Sequence, residues 1–132
     1  MHNRGTAPTT PTLYLAIRPF QVNPPAQFLN TRGGTAEVNG IAWDGKTVRV
    51  QGGSGLPARR VIPVSAPAAF GATTFDRGDI VTSLRRGRLP TAATVTDHFG
   101  AASGALSYPM LLAPGTSRDV WVAIPWLSLI HI

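Results

Sequence analysis

Glycine and proline punctuate this chain so often that few segments can grow long. Together they account for 26 of the 132 residues, against roughly 12% in average usage. They fall between apolar runs rather than in one block. Proline withholds a backbone N–H, and glycine gives up the most conformational freedom on folding, so each tends to end or bend an element. Short strands joined by many turns are therefore expected, not disorder. Apolar residues supply 43% of the chain, enough for a packed core. The length fits one domain, which would remove roughly two thirds of the unfolded surface from water.

The strongest strand signal lies in residues 12–25, TLYLAIRPFQVNPP. Leu13, Leu15 and Ile17 alternate with Tyr14, Ala16 and Arg18, and a period of two puts the first three on one face. Pro19 should end the paired run or bring it to a sheet edge. Pro24-Pro25 then forces an extended or turning exit. The preceding residues 1–11 are rich in Thr and Pro without periodicity. They read as a tail, or as the remnant of an earlier strand. Phe28 and Leu29 are apolar enough to tuck under a sheet, and Gly33-Gly34 marks a turn.

Residues 36–50 predict a hairpin. Ile41 and Trp43 precede Asp44-Gly45, and Val48 and Val50 follow. An Asp-Gly pair between alternating runs suits a type I′ turn, with positive φ at both central residues. Asn39-Gly40 is a candidate bulge or kink entering it. Val61–Val64 is a short edge-strand candidate because Pro63 interrupts it. Residues 105–126 predict a second hairpin about Pro114-Gly115. Leu106, Tyr108 and Met110 form one alternating set in it, and Val120, Val122 and Ile124 the other.

Residues 75–90, FDRGDIVTSLRRGRLP, predict the one helix. Asp76 is the expected cap, with Asp79 in the first turn. Ile80, Val81 and Leu84 share a face. Arg85 and Arg86 oppose the negative end of the helix dipole, and Gly87 suits the left-handed position after the last turn. The fold class read from these signals is an all-β, mostly antiparallel β-sandwich with one short helix.

The net charge is +6, and eleven of the twelve cations are Arg. They are spread from Arg4 to Arg118, and the cluster Arg85, Arg86 and Arg88 has a capping explanation. No concentrated basic patch interleaved with aromatics appears, so nucleic acid is not the expected partner. No apolar run reaches membrane-spanning length, and no membrane partner is expected. Without cysteine, disulfides and thiolate metal sites are excluded. The loop QGGSGLPARR lacks the Gly-Lys-Ser/Thr ending of a phosphate loop. No cofactor or metal motif is present, and no nucleophile elbow surrounds Ser103.

Asp97-His98 is the sole acid–histidine pair, and neighbouring strand residues point to opposite faces. Hydrolysis of a glycosidic bond needs two carboxylates in one cleft. Asp44, Asp76, Asp79 and Asp119 fall in turn or capping positions, leaving Glu37 and Asp97 without an evident role. No catalytic residue is assigned. Trp43, Tyr108, Trp121 and Trp126 are the candidate contacts for a sugar ring or a neighbouring domain; core packing is the competing explanation.

Residues 13–30, LYLAIRPFQVNPPAQFLN, resemble a stretch of large bacterial proteins of the discoidin or coagulation factor 5/8-type group. IAWDGKTVRV, AAFGATTFDRGDIVTSLRRGRLP and ASGALSYPMLLAPGTSRDVWVAIPW are similar to further pieces of the same region. The resemblance runs from about Thr12 to Trp126. It implies an N-terminal β-sandwich region beside a six-hairpin helical toroid of the glycosidase type. The catalytic carboxylates would then lie in the toroid, which would be the partner of this domain within one polypeptide. The compartment is open, with periplasmic or extracellular placement compatible. Residues 127–132, LSLIHI, resemble the in-frame translation of a sequencing adapter. The expected organisation is a tail or strand remnant over 1–11, a partial sandwich over 12–126 and an adapter-derived tail over 127–132. The functional expectation is a non-catalytic support domain of a carbohydrate-active enzyme. The alternative is a free-standing carbohydrate-binding or adhesion module.

Overall fold

A computed structural model describes residues 1–21, 35–53, 55 and 57–125. Phe28, Leu29, the Pro24-Pro25 exit, the Gly33-Gly34 turn, Trp126 and the 127–132 segment lie outside the described residues. The chain is all-β with one short α-helix, and its strands pair antiparallel. Among the described residues ten strands run in order: β1 (Thr12–Ile17), β2 (Phe20–Gln21), β3 (Thr35–Ala36), β4 (Gly40–Trp43), β5 (Val48–Gln51), β6 (Arg59–Pro63), β7 (Ala69–Thr73), β8 (Thr94–Thr96), β9 (Ser103–Pro109) and β10 (Val122–Ala123). The helix α1 (Ile80–Arg85) falls between β7 and β8. One sheet has the order β1-β9-β7 and the other β10-β6-β5-β4-β8, while β2 and β3 pair separately.

The two main sheets share one core. Leu13, Leu15 and Ile17 stand opposite Tyr108, Leu106 and Gly104 and pack against the buried cluster. Ile41, Val48 and Val61 enter that cluster from the larger sheet, which fits alternation in β4, β5 and β6. Trp43 of β4 stacks on Phe70 of β7 at 5.8 Å. Val38 crosses between the sheets. It bonds to Gly100 and Ala102, and two residues later Gly40 starts β4. The expected kink at Asn39-Gly40 thus works as a sheet-switching corner, with the Asn39 amide donating to the Gly52 carbonyl.

The back of the smaller sheet is covered as well. On β9, Ser103, Ala105 and Ser107 alternate with the core residues Gly104, Leu106 and Tyr108, and all six are buried. Their small size leaves room for other segments to lie close. The Ile80 amide donates to Ser103 Oγ at 3.2 Å. Gly71 meets the Leu89-Pro90 segment so closely that a Cβ there would lie 2.0 Å from the Pro90 carbonyl oxygen.

Several expectations need correction. Residues 75–90 do not form one helix. Phe75–Arg77 makes a 3₁₀ turn, Gly78 breaks it at φ 93°, and α1 begins afresh. Its cap is Asp79, not Asp76, through a bond from the Val81 amide. The helix end follows expectation: Gly87 has φ 66°, and the Gly87 and Arg88 amides reach Leu84 and Ser83, as in a Schellman ending. We expect Asp79→Ala to cost about 1 kcal/mol, the usual loss of an N-cap. Urea denaturation checks it. The exposed Asp79–Arg18 ion pair adds little.

Residues 105–126 do not form a hairpin. β9 already has β1 and β7 as neighbours, so the 120–124 segment has no free edge there. It pairs instead with β6, Val122 opposite Pro63. This places β6 inside the larger sheet rather than at its edge. Residues 1–11 are tied to the rest of the chain rather than free. Thr9 bridges Leu112 and His2 bridges Ser117, while the buried Asn3 amide donates to the Ala7 and Leu112 carbonyls. Finally, the Asp44-Gly45 connection is a four-residue loop between Trp43 and Val48. Only Gly45 takes positive φ, so it is not type I′. The Asp44 carboxylate accepts the Lys46 and Thr47 amides, and the Thr47 bond leads in holding it below the usual carboxylate range.

Candidate functional site

The four aromatic candidates separate by location. Trp43 is half-buried, packed on the core through Phe70. Tyr108 is a core residue, 5% exposed, and burial pushes its phenol up. Trp126 lies outside the described residues. Trp121 is the outward one, 65% exposed.

Trp121 is held from below by Ser65. Its backbone N–H donates to Ser65 Oγ at 2.8 Å, and its carbonyl accepts the Val64 and Ser65 amides. The Ser65 carbonyl in turn accepts the Tyr108 hydroxyl at 3.1 Å. A single serine therefore ties the core of the smaller sheet to the edge of the larger one. Val64 is 69% exposed and Ile124 64%, so the edge near β10 carries several large apolar side chains toward solvent.

An exposed aromatic pair was not anticipated from the sequence. Phe75 and Phe99 are 62% and 60% exposed and meet edge to face at 6.0 Å. His98 packs on Phe99 at 3.9 Å. Asp97 fixes this arrangement. Its carboxylate accepts the Phe75 amide at 2.6 Å and the Phe99 amide at 2.8 Å. Only 3% of Asp97 is exposed. The Phe75 bond is the leading reason its carboxyl is held below the ordinary range, against an opposing push from burial. Phe99 lies between His98 and Gly100 in a turn, and an aromatic in such a turn was the available signal.

The carboxylates that could do chemistry are thus largely in backbone service. Asp44 closes a loop, Asp79 caps a helix and Asp97 braces two turns. Asp97 and His98 do not form a dyad: the carboxylate points into the Phe75 and Phe99 amides, while the imidazole lies outside on the Phe99 ring. Glu37 is exposed, with its side chain close to Gly53 and Gly100. Among the described residues no group of three His, Asp or Glu side chains is placed to hold a metal ion, and no helix is long and apolar enough to cross a membrane. No protein-family model matches the chain, and neither the curated proteins nor the solved structures yield a significant match.

Proposed function

We propose that this chain is a non-catalytic β-sandwich that supports a glycoside hydrolase-like helical domain of the same polypeptide, docking it at the Trp121 edge. The observation that carries this reading is the exposure of Trp121 and of Val64, whose amide donates to the Trp121 carbonyl, on a braced edge. Apolar side chains scattered singly on a surface are ordinary, but a cluster marks a contact surface. Burying an aliphatic or aromatic side chain of this size is worth roughly 1.5–3 kcal/mol, so a partner covering Trp121 and Val64 gains appreciably. The resemblance over residues 12–126 supplies the identity of the partner. The structural duties of Asp44, Asp79 and Asp97 support a role without catalysis, since each is engaged by backbone amides. A free-standing carbohydrate-binding module is the second reading, favoured by a groove on the outer face of the larger sheet.

The test is turnover on a panel of oligosaccharides, comparing the wild type with Glu37→Gln. We expect no hydrolysis above the uncatalysed background from either protein. Turnover that disappears in Glu37→Gln would overturn the support role and place an active site in this domain.

A further inference from the structure

The outer face of the larger sheet carries a shallow groove with Gly40 and Ala42 as its floor. Thr94 and Thr96 stand along one wall, Arg49 and Gln51 along the other. The register explains the shape. Thr94 and Arg49 flank Ala42, and Thr96 and Gln51 flank Gly40. Small residues in the middle strand between longer ones on both neighbours leave a trough. It holds about 190 Å³, below the roughly 300–1,000 Å³ of a drug-sized site, which suits a single ring.

The charge beside the trough is unbalanced. Arg49 stands directly opposite Arg60 on the neighbouring strand, and both are exposed. Like charges facing each other across an antiparallel pair are destabilising. The ion pair found among the described residues, Arg18 with Asp79, involves neither. A guanidinium offers a planar fork of donors matched to a carboxylate or sulfate, and threonine hydroxyls both donate and accept.

From the trough, its hydroxyl wall and the facing arginines, we infer that this face binds an acidic saccharide. One pyranose ring lies over Gly40 and Ala42, its hydroxyls meet Thr94 and Thr96, and its carboxylate or sulfate meets Arg49 and Arg60. The site is separate from the Trp121 edge and does not depend on the docking role. Two facing arginines beside a ring-sized trough suit a saccharide better than a nucleic acid, which needs an extended basic track.

Isothermal titration of the full chain at near-physiological salt tests the inference. The probes are a uronate trisaccharide, a sulfated trisaccharide, a neutral trisaccharide, inorganic sulfate and a single-stranded oligonucleotide. Saturable binding of at least one acidic trisaccharide is expected, and which of the two binds more tightly identifies the acidic group. The neutral sugar and inorganic sulfate should bind roughly tenfold more weakly or worse, having lost the charged contacts or the ring contacts. Arg49→Gln and Arg60→Gln should each weaken acidic-sugar binding roughly tenfold while melting no lower than the wild type, because each relieves a like-charge contact. Ala42→Phe should abolish binding by filling the floor with all charges kept; should it fail to fold, the two arginine variants decide between binding at this face and binding elsewhere. Trp121→Ala should leave binding unchanged. The inference is overturned by absence of saturable acidic-sugar binding, by equal affinity for the neutral sugar or for inorganic sulfate, by tighter binding of the oligonucleotide, or by arginine variants that bind like the wild type.

Discussion

Gly71→Ala is expected to destabilise the protein by about 3 kcal/mol or more, the upper end for forcing extra volume into a packed site. Gly71 sits in β7 between the sheet and the Leu89-Pro90 crossing. An added Cβ would meet the Pro90 carbonyl oxygen at 2.0 Å and its carbon at 2.9 Å. These are backbone atoms, so no rotamer change relieves the clash. The neighbouring Ala72 amide is bonded to the Ala92 carbonyl, which resists separation of the two segments. Gly104→Ala is a useful comparison. Its nearest neighbour would be the tip of the Phe70 ring at 2.9 Å, a side chain that can shift, so a smaller loss is expected. Urea denaturation measures both. A Gly71→Ala loss under about 1 kcal/mol would place it among ordinary tolerated changes, and the Pro90 crossing would not be as closely packed as described.

Asp97→Ala is expected to cost about 3 kcal/mol near neutral pH, because hydrogen bonds to a charged group are worth roughly 1.5–3 kcal/mol each and their loss leaves backbone donors unpaired. The pH dependence gives a sharper signature. The folded carboxyl lies below its ordinary value, so the native state binds this proton less readily than the unfolded chain does. The stabilisation is fully present above the unfolded value of about 3.9 and is lost as pH falls through the folded value. Denaturation midpoints of the wild type and Asp97→Asn should therefore differ at neutral pH, begin to approach each other below about pH 4, and converge only once the pH is below the folded value. A difference that stays constant into acid would mean that the charge on Asp97 contributes nothing to the brace.

Local patterns were legible where one sheet face is buried and the other is not. Alternation identified Leu13, Leu15 and Ile17 as core-facing, and Leu106, Tyr108 and Met110 likewise. Pro19 falls beyond the end of β1, and Gly87 closes α1. Pairing partners were not legible, because alternation in residues 120–124 is equally satisfied by β9 or β6. What decides is that β1 and β7 already occupy both edges of β9, which no local window contains. The N-terminal segment escaped for a related reason. Its order depends on Asn3 and on bridges to residues more than one hundred positions away.

The candidate site was partly legible. Trp121 was singled out among aromatics but not distinguished from Tyr108, since adjacent positions in an alternating run do not say which sheet lies on either side. Phe75, Phe99 and the groove around Ala42 needed the folded arrangement. In the groove, the decisive residues are a glycine and an alanine whose lack of bulk becomes a feature only between two longer neighbours. Asp97 read as an acid without a role because its partners are backbone amides, which carry no sequence signature.

Oxidative footprinting of Trp121 tests the support role most directly. The comparison is between this chain alone and a polypeptide that carries it together with the proposed helical domain. A docked helical domain predicts rapid labelling of Trp121 in the isolated chain and strong protection in the longer polypeptide, with Phe75 and Phe99 labelled alike in both. Equal labelling of Trp121 in the two proteins would contradict docking at this edge.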